Sequence, residues 1–282
     1  VKKVGVFYHP AFNSQGYLTL RNRLRDFPGA LHEVLKNPNV RLYECPRVDL
    51  ELVLKVHAPE MAALVEREGS CHTAFESVGG VVAAMEALAK GELDRAFCFV
   101  GTGGHHAGYQ EFWNYSCLND VVIALTHVRE ISAWRRFAIV NTDAHHGGGT
   151  LQLLQERPEV LHLCFCRSNY HSLSGTQVEI NVYRDLKLPD ADAAYVELVR
   201  RHLPLIREFR PHLLVWYFGY DTHKDEADSL GLTEAAYVGI CDLLLSLSLQ
   251  AGIPLQVVLG GGSLHHVATS VIPQIIRRLG EI

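Results

Sequence analysis

Seven short apolar runs, separated by longer segments of helical periodicity, constrain this chain more than any other feature. They cover residues 4–8, 40–43, 96–100, 137–140, 160–165, 213–218 and 255–259. Each is nearly continuous in apolar residues, many of them β-branched or aromatic. They therefore read as strands buried on both faces rather than strands with one wet face. Amphipathic segments at 61–68, 73–89, 120–129, 191–209, 234–250 and 267–279 read as helices between them. Such alternation builds parallel βα units, hence an α/β fold whose mostly parallel central sheet is flanked by helices. No Pro/Ser-rich stretch, repeat or low-complexity segment interrupts the pattern, so residues 1–282 read as a single domain.

Composition narrows the function classes. With 48% hydrophobic residues the chain can fill a large core, and its net charge of −5 argues against a direct nucleic-acid binder. The pairs Arg200/Arg201 and Arg277/Arg278 read as solvated helix faces. The seven cysteines (45, 71, 98, 117, 164, 166, 241) are odd in number, lack C-x-x-C spacing and lie mostly inside apolar runs. They read as buried free thiols with no disulfide framework, which points to a reducing compartment and a cytoplasmic location. The apolar run at residues 4–8 is too short for a signal peptide. No run approaches a membrane span, so no membrane partner is expected. Nothing fixes the oligomeric state, and a homo-oligomer stays open.

Ligands of open α/β sheets bind beyond the carboxyl ends of the strands. The chemistry-rich segments fall there: 101–108, 141–149, 219–226 and 260–266. In Asn141-Thr-Asp-Ala-His-His-Gly-Gly-Gly149, Asp143 and His145 are two residues apart. In an extended strand end they would point to one side and converge as two ligands of a divalent metal. A polar loop after a buried strand is the competing reading. Upstream, Gly101-Thr-Gly-Gly-His-His-Ala-Gly108 offers two adjacent histidines, His105 and His106, as a base and an acid. Its glycines, Gly104 among them, let the backbone approach a ligand closely. Downstream, Asp221 completes an Asp/His/Asp set with Asp143 and His145, which leaves room for water and substrate as a catalytic zinc requires.

Three ordered motifs, Gly104-His-His-Ala107, Asp143-x-His-His-Gly-x-Gly149 and Gly219-Tyr-Asp221, make the chain resemble the histone deacetylase and acetylpolyamine amidohydrolase family. Weaker similarity runs through His9-Pro10, Val56-His-Ala-Pro-Glu60, Asn119-Asp-Val121 and Gly231-Leu-Thr-Glu234, so it spans nearly the whole chain. The resemblance implies the three-layer arginase/deacetylase α/β fold and one zinc ion per chain held by Asp143, His145 and Asp221. It also implies that His105 and His106 activate the water and protonate the leaving amine. His146 and His162 read as structural histidines.

The chain departs from the family pattern at several positions. Ser263 stands where the family's catalytic tyrosine should follow the last glycine run, and its side chain is too short to reach the same point. Losing one such oxyanion donor costs on the order of 10²–10³ in rate. His265, His266, Tyr220 and His223 are the candidate replacements. Asn141 replaces the first Asp of the motif and Gly148 an Asp or Asn, so the histidines should be less basic. The family also holds an alkali ion near that first Asp, and Asn141 puts a potassium site in doubt. Asn114-Tyr-Ser116 replaces Gly-Phe-Cys, with Tyr115 and Tyr170 as candidate aromatic walls.

The resulting expectation is a zinc-dependent deacylase acting on an acyl-lysine, an acetylpolyamine or a related small molecule. The alternatives are a metal-retaining family member that binds acylated ligands with weak or no turnover, and a structural relic.

Overall fold

The computed structural model describes residues 2–185 and 190–281. Nine strands form one sheet in the order β2-β1-β3-β9-β8-β4-β5-β7-β6. They are β1 (Val4–Tyr8), β2 (Val40–Glu44), β3 (Arg95–Cys98), β4 (Phe137–Asn141), β5 (Val160–Cys166), β6 (Tyr170–His171), β7 (Gln177–Asn181), β8 (Leu213–Phe218) and β9 (Leu255–Leu259). All neighbours pair in parallel except β6 with β7. Every residue of β1, β3, β4, β5, β8 and β9 is buried, which is what continuous apolar strands need.

The helices are α1 (Leu18–Arg23), α2 (Leu50–Val53), α3 (Pro59–Arg67), α4 (Ala74–Ala89), α5 (Asp120–Ile131), α6 (Gly148–Leu154), α7 (Val182–Asp185), α8 (Ala191–Phe209), α9 (Glu234–Ala251) and α10 (His265–Glu281). α4 packs on β1, β3 and β9 and against α5. α8, α9 and α10 pack in series, with α10 on β1 and β3 and α9 on β9. Two helical layers thus enclose the sheet.

Four expectations need correction. β2 lies at the edge of the sheet and is exposed from Arg41 to Glu44, so it is not buried on both faces. β6 and β7 have no counterpart in the apolar pattern, because Gln177 and Glu179 are polar yet buried. Cys71 and Cys117 form a disulfide with Cα atoms 6.1 Å apart, so the chain is not free of cross-links. Their segments precede α4 and α5, and the packing of those helices brings them together; sequence spacing carries no trace of that. Cys45, Cys98, Cys164, Cys166 and Cys241 are free and buried. Lastly, α9 is by length and composition apolar enough to cross a membrane, although no sequence run suggested one. Here it packs against α8, α10 and β9.

The strand order decides where chemistry can occur. β3, β9, β8 and β4 are consecutive neighbours. The loops after them are the four polar or Gly-rich segments, so these converge above the middle of the sheet.

Candidate metal centre

β4 ends at Asn141, so Asp143 and His145 lie in the loop beyond it, not in an extended strand end. They still converge, by a different device. The His145 backbone N–H donates to Asp143 Oδ1 at 3.0 Å, an Asx-type turn that folds the imidazole back over the carboxylate. His145 Nδ1 then stands 3.1 Å from Asp143 Oδ1 and 2.9 Å from Asp221 Oδ2. Backbone donors hold both carboxylates: Gly261 N–H reaches Asp143 Oδ2 at 2.6 Å and Ala144 N–H reaches Asp221 Oδ1 at 3.0 Å. Gly261 allows this approach because a Cβ there would lie 2.5 Å from Asp221 Oδ2 and 2.6 Å from Asp143 Oδ2.

The electrostatics fit a divalent cation at this point. Two buried carboxylates face each other. Burial, then the Asp143 charge, pushes the Asp221 carboxyl up to about 8. Hydrogen bonds to Asp143 and Asp221 push the His145 imidazole up to about 11. A proton on His145 Nδ1 thus supplies the positive charge that the pair demands, where a metal ion would supply it instead. On the other side of the ring, His145 Nε2 contacts Asp228 Oδ2 at 3.1 Å, and Arg167 Nη2 donates to the same carboxylate at 2.7 Å. Such an outer partner fixes which nitrogen faces the metal.

The histidine pair lies beside this point. His105 and His106 approach Nε2 to Nε2 at 3.1 Å. His105 stacks on Tyr217 with ring centroids 4.9 Å apart, and the Tyr217 hydroxyl accepts the Gly104 N–H at 3.0 Å. Trp113 covers His106 at 4.1 Å. Burial lowers the pKa of both, that of His106 to about 3, so both rings are neutral near neutral pH. Asn141 sets their tautomers. Its Oδ1 accepts the Asp143 backbone N–H at 3.0 Å, which leaves Nδ2 facing His105 Nδ1 at 3.1 Å. His105 Nδ1 must therefore accept and Nε2 carry the proton, which it donates to His106 Nε2.

These groups line one cavity of about 290 Å³ with Tyr115, Ser116, Asn114, Tyr217, Ser263 and Asp228 among its walls. Asn114 and Tyr115 hold the wall in left-handed backbone conformations, φ 49° and 66°. Ser263 does not point its hydroxyl at the metal ligands: Oγ donates to Glu226 Oε2 at 2.6 Å, and its backbone N–H donates to Glu226 Oε1 at 2.8 Å.

Three expected substrate contacts lie outside the cavity lining. Gly104 packs against Asp120, where a Cβ would come within 2.5 Å, and Gly103 takes its place in the wall. Tyr170 is exposed on the edge strand β6. His265 caps the outside of α1, with Nε2 2.7 Å from Asp26 and Nδ1 3.2 Å from Arg25. Of the other replacements offered for the tyrosine, His266 pairs with Asp225 at 3.1 Å, and His223 and Tyr220 are buried outside the lining.

Sequence reasoning missed Arg23, Glu226 and Asp228. The two acids stand in the same polar loop as Asp221 and carried that much signal. Arg23 carried none: it reaches from α1 to donate to Gly260 O at 2.7 Å and Gly262 O at 2.8 Å, fastening the glycine loop from a remote part of the chain.

Comparison with known proteins fits this geometry. Residues 44–279 match the histone deacetylase domain. An uncharacterized protein of Picosynechococcus sp. is 31% identical over 216 residues, 74% of this chain and 66% of that protein. A probable deacetylase of Archaeoglobus fulgidus is 25% identical over 264 residues, 83% of this chain and 73% of that protein. The chain thus spans a little under two thirds of the first relative's length. The crystal structure of the HDA15 HD domain superposes with a TM-score of 0.85, covering 99% of this chain and 91% of that one. At 18% identity this likeness speaks for the fold alone, the three-layer arginase/deacetylase α/β architecture. With most of its length inside the domain match, the chain belongs to the histone deacetylase domain family.

Proposed function

We propose that the protein is a zinc-dependent deacylase that hydrolyses an acylated amine, an acyl-lysine, an acetylpolyamine or a related small molecule. The carrying observation is the convergence of Asp143, His145 and Asp221 beside the His105/His106 pair in one cavity. Asp143, His145 Nδ1 and Asp221 would hold the zinc; when bound, it would polarise the acyl oxygen and lower the pKa of an adjacent water.

The chain's own residues then handle the proton. His106 Nε2, whose lone pair accepts the His105 N–H at rest, takes the proton of the attacking water once that hydrogen bond opens. The protonated ring faces the His105 N–H, a donor against a donor, and among the described residues no carboxylate hydrogen-bonds to it, although the Asp143 charge favours it. His106 therefore releases its proton readily to the departing amine. His105 orients its neighbour through the tautomer that Asn141 imposes. Tyr115 supplies an apolar wall for an acyl chain or its methylene stem. We expect its partner to be a small-molecule or acyl-lysine substrate, without direct nucleic-acid or membrane binding, and a homo-oligomer stays open.

Ser263 favours a second reading. Its hydroxyl is engaged by Glu226, so the wall supplies no tyrosine donor for the oxyanion at that position. A metal-bound protein that recognises acylated ligands with slow turnover is consistent with this. The test is zinc content followed by hydrolysis of acyl-lysine and activated-ester substrates by the wild type, His106→Ala and Asp143→Ala. Zinc bound with turnover abolished in both variants supports the deacylase. Zinc bound without turnover of any substrate favours the binding protein, and a stable protein that takes up no zinc overturns both.

A further inference from the structure

Beside the candidate centre, and separate from it, lies a second group of metal-binding side chains. His146 follows His145 in the loop after β4, but its ring turns the other way, toward the ends of β5 and β7. Cys166 closes β5. Glu179 lies in β7, in register with Cys164. Residues two apart on a strand share a face, as do directly paired residues of parallel neighbours, so Cys164, Cys166 and Glu179 project from one side of the sheet. The His146 imidazole closes over them from the loop after β4. A nitrogen, a sulfur and an oxygen donor thereby meet within 4.8 Å of one another.

We propose that His146 Nδ1, Cys166 Sγ and Glu179 Oε1 form a second site for a thiophilic divalent cation of the zinc type. Glu179 is only 4% exposed, and its Oε1 has no hydrogen-bond partner. A buried carboxylate needs a counter-charge. His146 Nδ1 supplies one at 2.6 Å, in an ion pair whose atoms are not aligned as hydrogen-bond donor and acceptor. A cation among the three donors would serve Glu179 in place of that proton.

Ligand atoms of a tetrahedral zinc stand roughly 3.3–3.7 Å apart, so a shift of about 1 Å would seat the ion. The single thiolate sets the selectivity, since sulfur favours zinc over magnesium or calcium. The His146 side chain is 40% exposed and leaves an entry path and a fourth position for water. A metal there would clamp the loop that carries His145 onto β5 and β7, and so give His146 a role beyond filling space.

The candidate centre contains no sulfur, which makes the two sites separable. The metal-free full chain is reconstituted with zinc to measure stoichiometry, and with cobalt(II) to record the thiolate-to-cobalt charge-transfer band in the near ultraviolet. Two equivalents and a clear band are expected for the wild type. Cys166→Ala should lose the band and one equivalent, and Glu179→Gln should lose one equivalent. Cys164→Ala should keep the band. Asp143→Ala should lose one equivalent and also keep the band, so failure of the first site does not disguise failure of the second. A wild type without the band, or a band that survives Cys166→Ala, overturns the proposal whether or not the variants fold well.

Discussion

Asn141 and Ser263 are single positions at which the chemistry of the cavity can be redirected. Replacing Asn141 with Asp gives His105 Nδ1 an acceptor in place of a donor, so the ring carries its proton on Nδ1, its Nε2 takes over from His106 as the base of the pair, and its charged form gains a counter-charge. The acid limb of the pH–rate profile should move upward by about 1–2 units, because a base of higher pKa is protonated, and lost, at higher pH. An unchanged limb in ester hydrolysis by Asn141→Asp would refute the tautomer argument. Ser263→Tyr restores a hydroxyl on the glycine loop. A gain of roughly 10²-fold in kcat on unactivated amides is expected if the cavity lacks only an oxyanion donor, read by steady-state kinetics with zinc content held constant. At this scale the sequence was informative where chemistry follows residue type: Asp143, His145, Asp221 and the histidine pair stand together at one edge of the sheet. It was uninformative where chemistry follows orientation. Nothing in the string of residues tells that His265 turns outward to Asp26, or that the Ser263 hydroxyl is engaged by Glu226.

Between single residues and the whole fold, histidine and threonine side chains tie elements together at their ends. His57, just before α3, donates from Nδ1 to Gly108 O at 2.8 Å and accepts the Asn119 N–H on Nε2 at 2.9 Å. It thus links the histidine-bearing loop to the start of α5. Burial lowers its pKa to about 4, and only the neutral ring satisfies both contacts. The folded pKa lies below the unfolded value near 6.5, so the unfolded chain binds the extra proton. Stability is therefore complete above about pH 6.5 and falls as the pH drops toward 4, by roughly 3 kcal/mol. Urea unfolding across that range should show the loss, and His57→Gln should flatten it. At α9, Thr233 caps the first turn by accepting the Ala235 N–H at 3.3 Å, while its own N–H and hydroxyl bind Asp192 of α8 at 2.7 and 2.5 Å. Thr233→Ala should cost about 1–2 kcal/mol in chemical denaturation, the range of a lost N-cap. Long elements such as α8 and α9 were readable because their period is sustained. The short α1, α2 and α6 were not, since tertiary contacts rather than local pattern fix a single turn of helix.

For the molecule as a whole, parallel topology was legible in the alternation of strands and helices, but strand order was not. Any order that keeps the crossovers right-handed satisfies the same pattern. The Cys71–Cys117 link was equally hidden, because it depends on which helices become neighbours. It closes a loop between residues 46 apart in sequence, for which chain entropy gives a stabilisation of about 4 kcal/mol. Cys71→Ser should lower the denaturation midpoint under oxidising conditions, and a reducing agent should erase the difference from the wild type.

The position of β9 bears on how the protein comes to exist. The last strand among the described residues lies between β3 and β8. Until it docks, the sheet is two separate pieces, β2-β1-β3 and β8-β4-β5-β7-β6, each with an unpaired edge where the central ladder will be. Asp143 and Asp221 belong to one piece and the histidine pair to the other. A nascent or partly folded chain can therefore gather the candidate metal ligands before the histidine pair reaches them. Such long-range closure is slow and leaves strand edges open to wrong partners in the interval. This strand works as a keystone, and the histidine pair meets the candidate metal ligands only when it drops into place.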